Sequence, residues 1–563
     1  MPQAAEDFDV HCRQAAMDFL QTVVVADNQP ILTTGYQAPK RATRRTAQPP
    51  GSIDEDDMPG SAIASNDARN DPEPGDSHNL DLRQIVNTFA QQGITCGSYL
   101  PREETPDDDV VKYTFNCAFP ADIAIIDWQL KENNPEPAIE VISRLLEADE
   151  AEGGRLRLII VYTGERDLGY AAGRLASTLK RNGHVIPQDA NHPEILEEGS
   201  VRIRFLNKPM RGYEGASDIV NPEDLPDRAI NEFVALSRGL LRAFALASVS
   251  AIRRDVHRML AQFPPQLDGA FAGQRATIDD PDDAGRLMIE VLQSEFAVTL
   301  NKADLATEML GAAASNKWLA LQDNLPEPDV DLKFKEDPDR EKLKKLDSSR
   351  KHELVEKGLG GASDNTEKRL KIISAFLGCD DDAVNRRRQF AILSTLAWHG
   401  GTDANRSLRQ PPALSLGSVI KQPSDDVEAP TVLWLCLQPK CDCVRLHMRT
   451  EPRGFTLVML KENNERFDLI IPVGERNKAF RMDHKEPVIR TVPFEVATGH
   501  TMVVAREKED GWSFTDYEGY EWEWVAEVRE SRMLELVNRL AAQLTRIGLN
   551  QDEWVRLQSR PAG

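Results

Sequence analysis

No apolar run in this 563-residue chain approaches the roughly 20 residues that a membrane-spanning helix needs. The first residues, MPQAAEDFDVH, are acidic and lack the apolar core of a secretory leader, so neither export nor a membrane anchor is expected. Positive charge is also short: 68 Lys and Arg stand against 91 Asp and Glu, a net charge of −23. That balance argues against a broad nucleic-acid-binding surface, because phosphate backbones are held by clustered cations. Cysteine is sparse, odd in number and scattered, at Cys12, Cys96, Cys117, Cys379, Cys436, Cys441 and Cys443. This pattern suits a reducing cytoplasm and excludes a regular disulfide framework. The length predicts more than one domain, about three by ordinary domain size.

What the chain does have is a set of short apolar runs, each ending in a polar residue. ADIAIIDWQL, residues 121–130, carries Ile123, Ala124, Ile125 and Ile126 and then Asp127. A run of this length bounded by turn residues reads as a strand buried on both faces, as in a parallel sheet. TVVVADN ends at Asp27, LIIVYTG at Thr163 and VRIRFLNKP at Lys208–Pro209. Open α/β sheets place their chemistry outside the carboxyl ends of such strands. The four ends supply two carboxylates, a hydroxyl and an ammonium. A carboxylate acting as nucleophile toward phosphorus needs a cation to neutralise the phosphoryl oxygens, and Mg²⁺ takes one or two carboxylates with phosphate oxygens and water.

In this order the four strand ends resemble the receiver domain of two-component response regulators. The resemblance implies a flavodoxin-like parallel sheet of five strands and a set of roles. Asp127 is the implied phospho-acceptor, and Asp27 and Asp127 hold Mg²⁺. Thr163 and Lys208 stabilise the phosphoryl group, and the Lys208–Pro209 bond is cis. It further implies a histidine kinase or phosphotransfer protein as partner, and a phospho-acceptor rather than a turnover enzyme. Large receiver proteins with unfamiliar tails are similar to those of bacterial stress and phage-defence systems. This chain departs from the family pattern in two respects: Ala26 stands where a second acidic residue is usual, and the Asp27–Asp127 and Thr163–Lys208 separations are longer than in a compact receiver.

The chain around these motifs divides by composition. Residues 1–225 form the receiver-like part, interrupted by a stretch at about 29–79 rich in Pro, Gly, Ser, Asp and Arg, which predicts a disordered insertion. Its removal brings Asp27 and Asp127 back to a receiver-like separation. Residues 226–263 predict one long connecting helix, with apolar residues at steps of three and four, suited to a homodimer seam. Residues 264–410 predict a helical region containing a charged linker at about 324–345. Residues 411–563 turn to short β runs and a last helix, an α+β module. Between the receiver strands, helices are expected over residues 6–20, 80–93, 136–146 and 169–182, and an acidic turn at 107–109.

Cys436, Cys441, Cys443 and His447 crowd one segment and offer a zinc-site alternative. Their spacing lacks the two-residue knuckle of common structural zinc sites, so buried thiols in a β core are the simpler expectation. Tyr520, Trp522 and Trp524 alternate, as core residues of a strand or as a stacking platform for a peptide do. Three functional readings stay open on the sequence: a phospho-switch, a receiver fold kept as a protein-binding scaffold, and an effector enzyme in the C-terminal region.

Overall fold

The computed structural model describes residues 2–28, 30–31, 80–131, 134–209, 218–322, 324–332, 343–359, 366–378, 380–400, 411–422, 431–446, 452–474, 476–508 and 511–544. Apart from residues 30–31, the expected insertion lies outside them. The chain divides into two compact units, Glu6–Ala148 with Arg155–Ala251, and Ile252–Gly563 with Met1–Ala5 and Asp149–Gly154.

In the first unit α1 (Pro2–Phe19) leads into β1 (Thr22–Ala26). Then come α2 (Leu82–Gln91), β2 (Thr95–Tyr99), α3 (Asp107–Ala118), β3 (Ile123–Ile126), α4 (Glu136–Ala151), β4 (Arg157–Thr163) and α5 (Leu168–Arg181). A hairpin of β5 (Ile195–Glu198) and β6 (Val201–Asn207) follows. The sheet runs β2-β1-β3-β4-β6-β5. Its first five members are parallel and β5 is an antiparallel edge, with Ile195 opposite Arg204. The expected five parallel strands are therefore present, and the excursion before Lys208 adds a sixth.

The strands are apolar on both faces because helices cover both. Val24, Ala26, Ala124, Ile126, Ile159, Val161, Ile203 and Phe205 point to one face and form a single core with α3, α4 and α5. The alternate residues, among them Val23, Val25, Ile125 and Ile160, are equally buried. On their side α6 (Leu225–Ser237) packs on β4 and β6, and α2 packs on α6. Local signals account for the helix ends. Asp81 accepts the Gln84 N–H at 3.1 Å, and Gly93, at φ +77°, takes the left-handed conformation past the end of α2. The acidic turn expected at Asp107–Asp109 is instead the first turn of α3, where carboxylates face the positive end of the helix dipole.

The single long helix expected over 226–263 is two. α6 and α7 (Leu240–Ala261) meet at a bend of 119°. Arg238 is extended and Gly239 sits at φ +151°, a conformation open to glycine, so the chain turns there despite continuous apolar spacing. Among the described residues no single helix is long and apolar enough to cross a membrane; α6 and α7 reach that length only as a bent pair.

In the second unit the helical region holds α8 (Asp268–Thr277), α9 (Asp282–Lys302), α10 (Leu305–Leu310), α11 (Ala312–Leu319), α12 (Ser348–Lys357), α13 (Thr366–Leu377) and α14 (Asp381–Thr395). The segment expected as a charged linker contains an antiparallel pair, β7 (Asp329–Leu332) with β8 (Leu343–Lys345). Beyond α14, β9 (Leu396–His399), β10 (Ser418–Lys421), β11 (Val432–Cys436), β12 (Gly454–Glu462), β13 (Leu469–Val473), β14 (Arg476–Met482), β15 (Ile489–Pro493), β16 (Arg506–Lys508), β17 (Gly511–Thr515) and β18 (Glu521–Val528) precede α15 (Glu530–Leu544). The last ten strands make one antiparallel sheet. Its strands alternate between two cores. Leu433 and Leu435 join Met533, Leu536 and Leu540 of α15, while Trp434 and Cys436 join Phe455, Phe494, Phe514 and Trp522.

Candidate functional site

The parallel sheet brings the four polar strand ends to one rim. In the sheet order β1 lies beside β3, β3 beside β4 and β4 beside β6. Asp27 and Asp127 each follow the last residue of their strand, and Lys208 follows β6. Backbone bonds continue the ladder past the strand ends: the Asp127 N–H donates to the Ala26 carbonyl at 2.8 Å, and the Lys208 N–H donates to the Thr163 carbonyl at 2.8 Å.

At the rim the side chains converge. Lys208 Nζ donates to Asp27 Oδ2 and to Asp127 Oδ2, both at 2.6 Å. All three residues are buried, as is Thr163. One ammonium thus holds two carboxylates at a common point and offsets one of their two buried charges, leaving the rim with a net negative charge that favours a further cation. Burial pushes the Lys208 ammonium toward neutrality, but Asp127 and Asp27 outweigh it and raise its pKa above the ordinary lysine value. Its Nζ also lies 5.9 Å from the centre of the Tyr162 ring. Burial drives the Tyr162 phenol far upward and Asp27 adds to that, so it stays protonated; its hydroxyl donates to the Val220 carbonyl at 2.6 Å.

The second oxygen of Asp127, Oδ1, accepts the Gln129 N–H at 3.1 Å. Thr163 Oγ1 accepts the Glu165 N–H at 3.2 Å. Gln129 Nε2 then donates to Glu165 Oε1 at 2.8 Å, so the loops after β3 and β4 are tied across the rim. The sequence reading passed over this pair. Its signal is positional, since each residue stands two places after a predicted site residue. Also missed was a charged network beneath the rim. Arg202 and Arg204 lie on β6; Arg204 meets Asp218 at 2.8 Å and Glu194 at 2.9 Å, and Arg202 meets Glu232 of α6 at 2.8 Å. Two arginines alternating with apolar residues in VRIRF were its signal, because a buried guanidinium requires partners.

Asp27 and Asp127 suit a hard divalent cation. Their oxygens are already close enough to share one positive centre, and Mg²⁺ binds through one or two carboxylates when phosphate and water complete its shell. Ala26, where the family pattern has a second acid, is buried in the hydrophobic core and offers no ligand to this pocket. Among the described residues no cluster of three or more His, Cys, Asp or Glu is arranged to hold a metal.

One expectation is corrected. Among the described residues there is no cis peptide bond, so Lys208–Pro209 is trans, the form that even proline amides prefer. The cysteine alternative gains no support among the described residues. Cys436 and Cys443 are buried while Cys441 is exposed, and among the described residues no metal-ready group includes them. Cys443 Sγ lies 3.2 Å from the Pro439 carbonyl, and burial lifts its thiol to about 12. His447 lies outside the described residues. Trp522 is fully buried and donates to Asp516 Oδ2 at 2.9 Å, and Trp524 is buried too, so these two serve the core while Tyr520 is exposed.

Comparison with known families agrees with the rim. Residues 19–212 match the family described as the response receiver domain, a stretch containing β1 through Lys208. No curated protein and no solved structure matches the chain.

Proposed function

We propose that the receiver domain at the N-terminus of this chain is a phospho-switch in which Asp127 accepts a phosphoryl group. The donor is a phosphohistidine of a partner histidine kinase or phosphotransfer protein. The observation that carries this reading is the shared 2.6 Å grip of Lys208 Nζ on Asp27 and Asp127 at the carboxyl rim of the sheet.

An Asp127 carboxylate oxygen attacks phosphorus, the phosphorus–nitrogen bond of the donor breaks, and the imidazole leaves with the bonding pair. The product is an acyl phosphate on Asp127. Bound between Asp27 and Asp127, Mg²⁺ would supply charge neutralisation at the phosphoryl oxygens. Lys208, freed from one carboxylate, pairs with a phosphoryl oxygen instead, as a mobile point charge does. Thr163, at the adjoining strand end, turns its hydroxyl from the Glu165 N–H to the phosphoryl group.

The movement has a route outward. Lys208 ends β6, and Arg202 and Arg204 on the same strand hold Glu232 of α6. A shift of Lys208 is thus transmitted through a rigid strand to α6, with α7 continuing from it. The helical region and the β-rich module receive that bias as the output.

The test is intact-mass measurement of the full chain after incubation with acetyl phosphate and Mg²⁺. A gain of one phosphoryl group, abolished by Asp127→Asn and by chelation, supports the switch. No gain under any condition overturns it and favours a receiver fold retained for protein binding.

A further inference from the structure

α9 meets α7 through polar side chains and leaves five of its large apolar side chains exposed. Thr299 Oγ1 donates to Asp255 Oδ2 at 3.0 Å, Gln262 Nε2 donates to Glu295 Oε2 at 3.0 Å, and Arg258 lies 3.5 Å from Glu295. At roughly 100° per residue, Glu295 and Thr299 mark one line along the helix. Leu287, Val291 and Val298 lie on one flank of that line, and Ile289 and Leu292 lie on the other. All five are exposed. Preceding α8 is no better covered: none of its residues is buried, and Phe263, Leu267 and Phe271 follow one another at four-residue steps, all exposed. Leu260, at the end of α7, is 66% exposed, Ile289 60% and Leu267 52%.

This arrangement is the reverse of an ordinary surface helix, which keeps its apolar stripe inside. Together these side chains offer on the order of 700 Å² of apolar surface, against ~800 Å² per partner in a stable interface of standard size. The shape of the surface selects the occupant. A helix apolar on two flanks is satisfied inside a bundle, with a neighbour on each side. A flat partner covers one flank only. A second copy of the same segment, brought up by a two-fold axis, meets this surface with an equal apolar area, and the two together approach what a stable dimer of standard size buries.

We propose that Leu260–Val298 is a dimer surface whose occupant is the same segment of a second copy, forming an intermolecular helix bundle. The dimer seam therefore lies after the receiver's bent helices, in the hairpin that follows them. Asp279 and Asp280 lie between α8 and α9, and Asp282 and Asp283 open α9, outside the apolar stripes. Asp282 and Asp283 are engaged by Arg275, Arg286 and Arg445 of the same chain, which limits repulsion between copies.

Light scattering of the full chain between about 1 and 100 µM tests this, since association follows mass action. The wild type is expected at twice the 62.9 kDa chain mass. Ile289→Glu with Leu292→Glu places two unpaired charges in the seam and should weaken dimerisation by at least ~100-fold. Its circular dichroism should not change, because both side chains are exposed in the single chain. Phe271→Ser, a neutral change, should weaken it less but measurably. Tyr170→Glu, 75% exposed on α5, is the control and should leave the dimer intact. A wild type with the mass of one chain throughout the range overturns the proposal. So does a dimer that survives both seam variants.

Discussion

Lys208 and Asp127 meet at 2.6 Å in the interior of the receiver domain, 81 residues apart in the chain. The same ammonium holds Asp27, 181 residues away, at the same distance. A buried cation here stands between two buried carboxylates, and removing it leaves both uncompensated.

Lys208→Met should therefore destabilise the receiver domain by roughly 3–5 kcal/mol in chelator. Added Mg²⁺ should restore a large part of that loss, because a divalent ion can stand between the same carboxylates. Thermal denaturation with and without Mg²⁺ reads both effects. A variant as stable as wild type in chelator contradicts the assignment. The wild-type contribution has a defined pH range: the Lys208 pKa is raised on folding, so its stabilisation is complete below the ordinary lysine value and lost only as pH rises through the higher folded value.

Asp27→Asn should lower Mg²⁺ affinity by about tenfold or more, by calorimetric titration, since neutral amides are poorer ligands than carboxylates for a hard cation. The fold should survive, because Lys208 keeps Asp127. Unchanged affinity would place the ion elsewhere.

Arg204 is buried and serves Glu194 and Asp218 directly. Arg204→Met should cost roughly 3–5 kcal/mol through the acids left behind. Glu232→Gln, which keeps hydrogen-bonding capacity toward Arg202, should cost less than Arg204→Met. Chemical denaturation of the full chain, followed by the transition assigned to the receiver domain, ranks the two. The reverse order would show that the acids are solvated and the network adds little.

Burial raises Glu527 on β18 to about 8, partly offset by a hydrogen bond with Ser418. A carboxyl whose folded pKa exceeds its unfolded one favours the folded state when protonated, so stability falls as pH rises from about 4.5 to 8. Glu527→Gln should remove that slope. Its gain over wild type should be near zero at pH 5 and about 1–3 kcal/mol at pH 9, the residue being partly exposed. Melting temperature measured across this range checks the sign, and a constant difference between the two proteins would refute it.

Periodicity in the sequence carried the receiver half far. Val23–Ala26, Ile123–Ile126 and Leu158–Val161 read as doubly buried strands because an apolar run needs no partner's identity to announce burial. The polar residues closing them marked the rim for the same local reason. Local pattern failed at α3, where a run of aspartates looks like a turn until the helix dipole behind it is known. It failed again at Arg238–Gly239, where apolar spacing continues unbroken through a bend that backbone conformation alone decides.

The sequence by itself determined which residues are apolar, how they alternate, and which chemical groups stand at the strand ends. Only the tertiary structure decided that one lysine serves two distant aspartates, that Arg204 has acids to meet, and that α9 leaves large apolar side chains exposed. The reason is physical: burial propensity is a property of a residue and its near neighbours, whereas an ion pair or an uncovered face depends on distances between segments that the chain order does not contain.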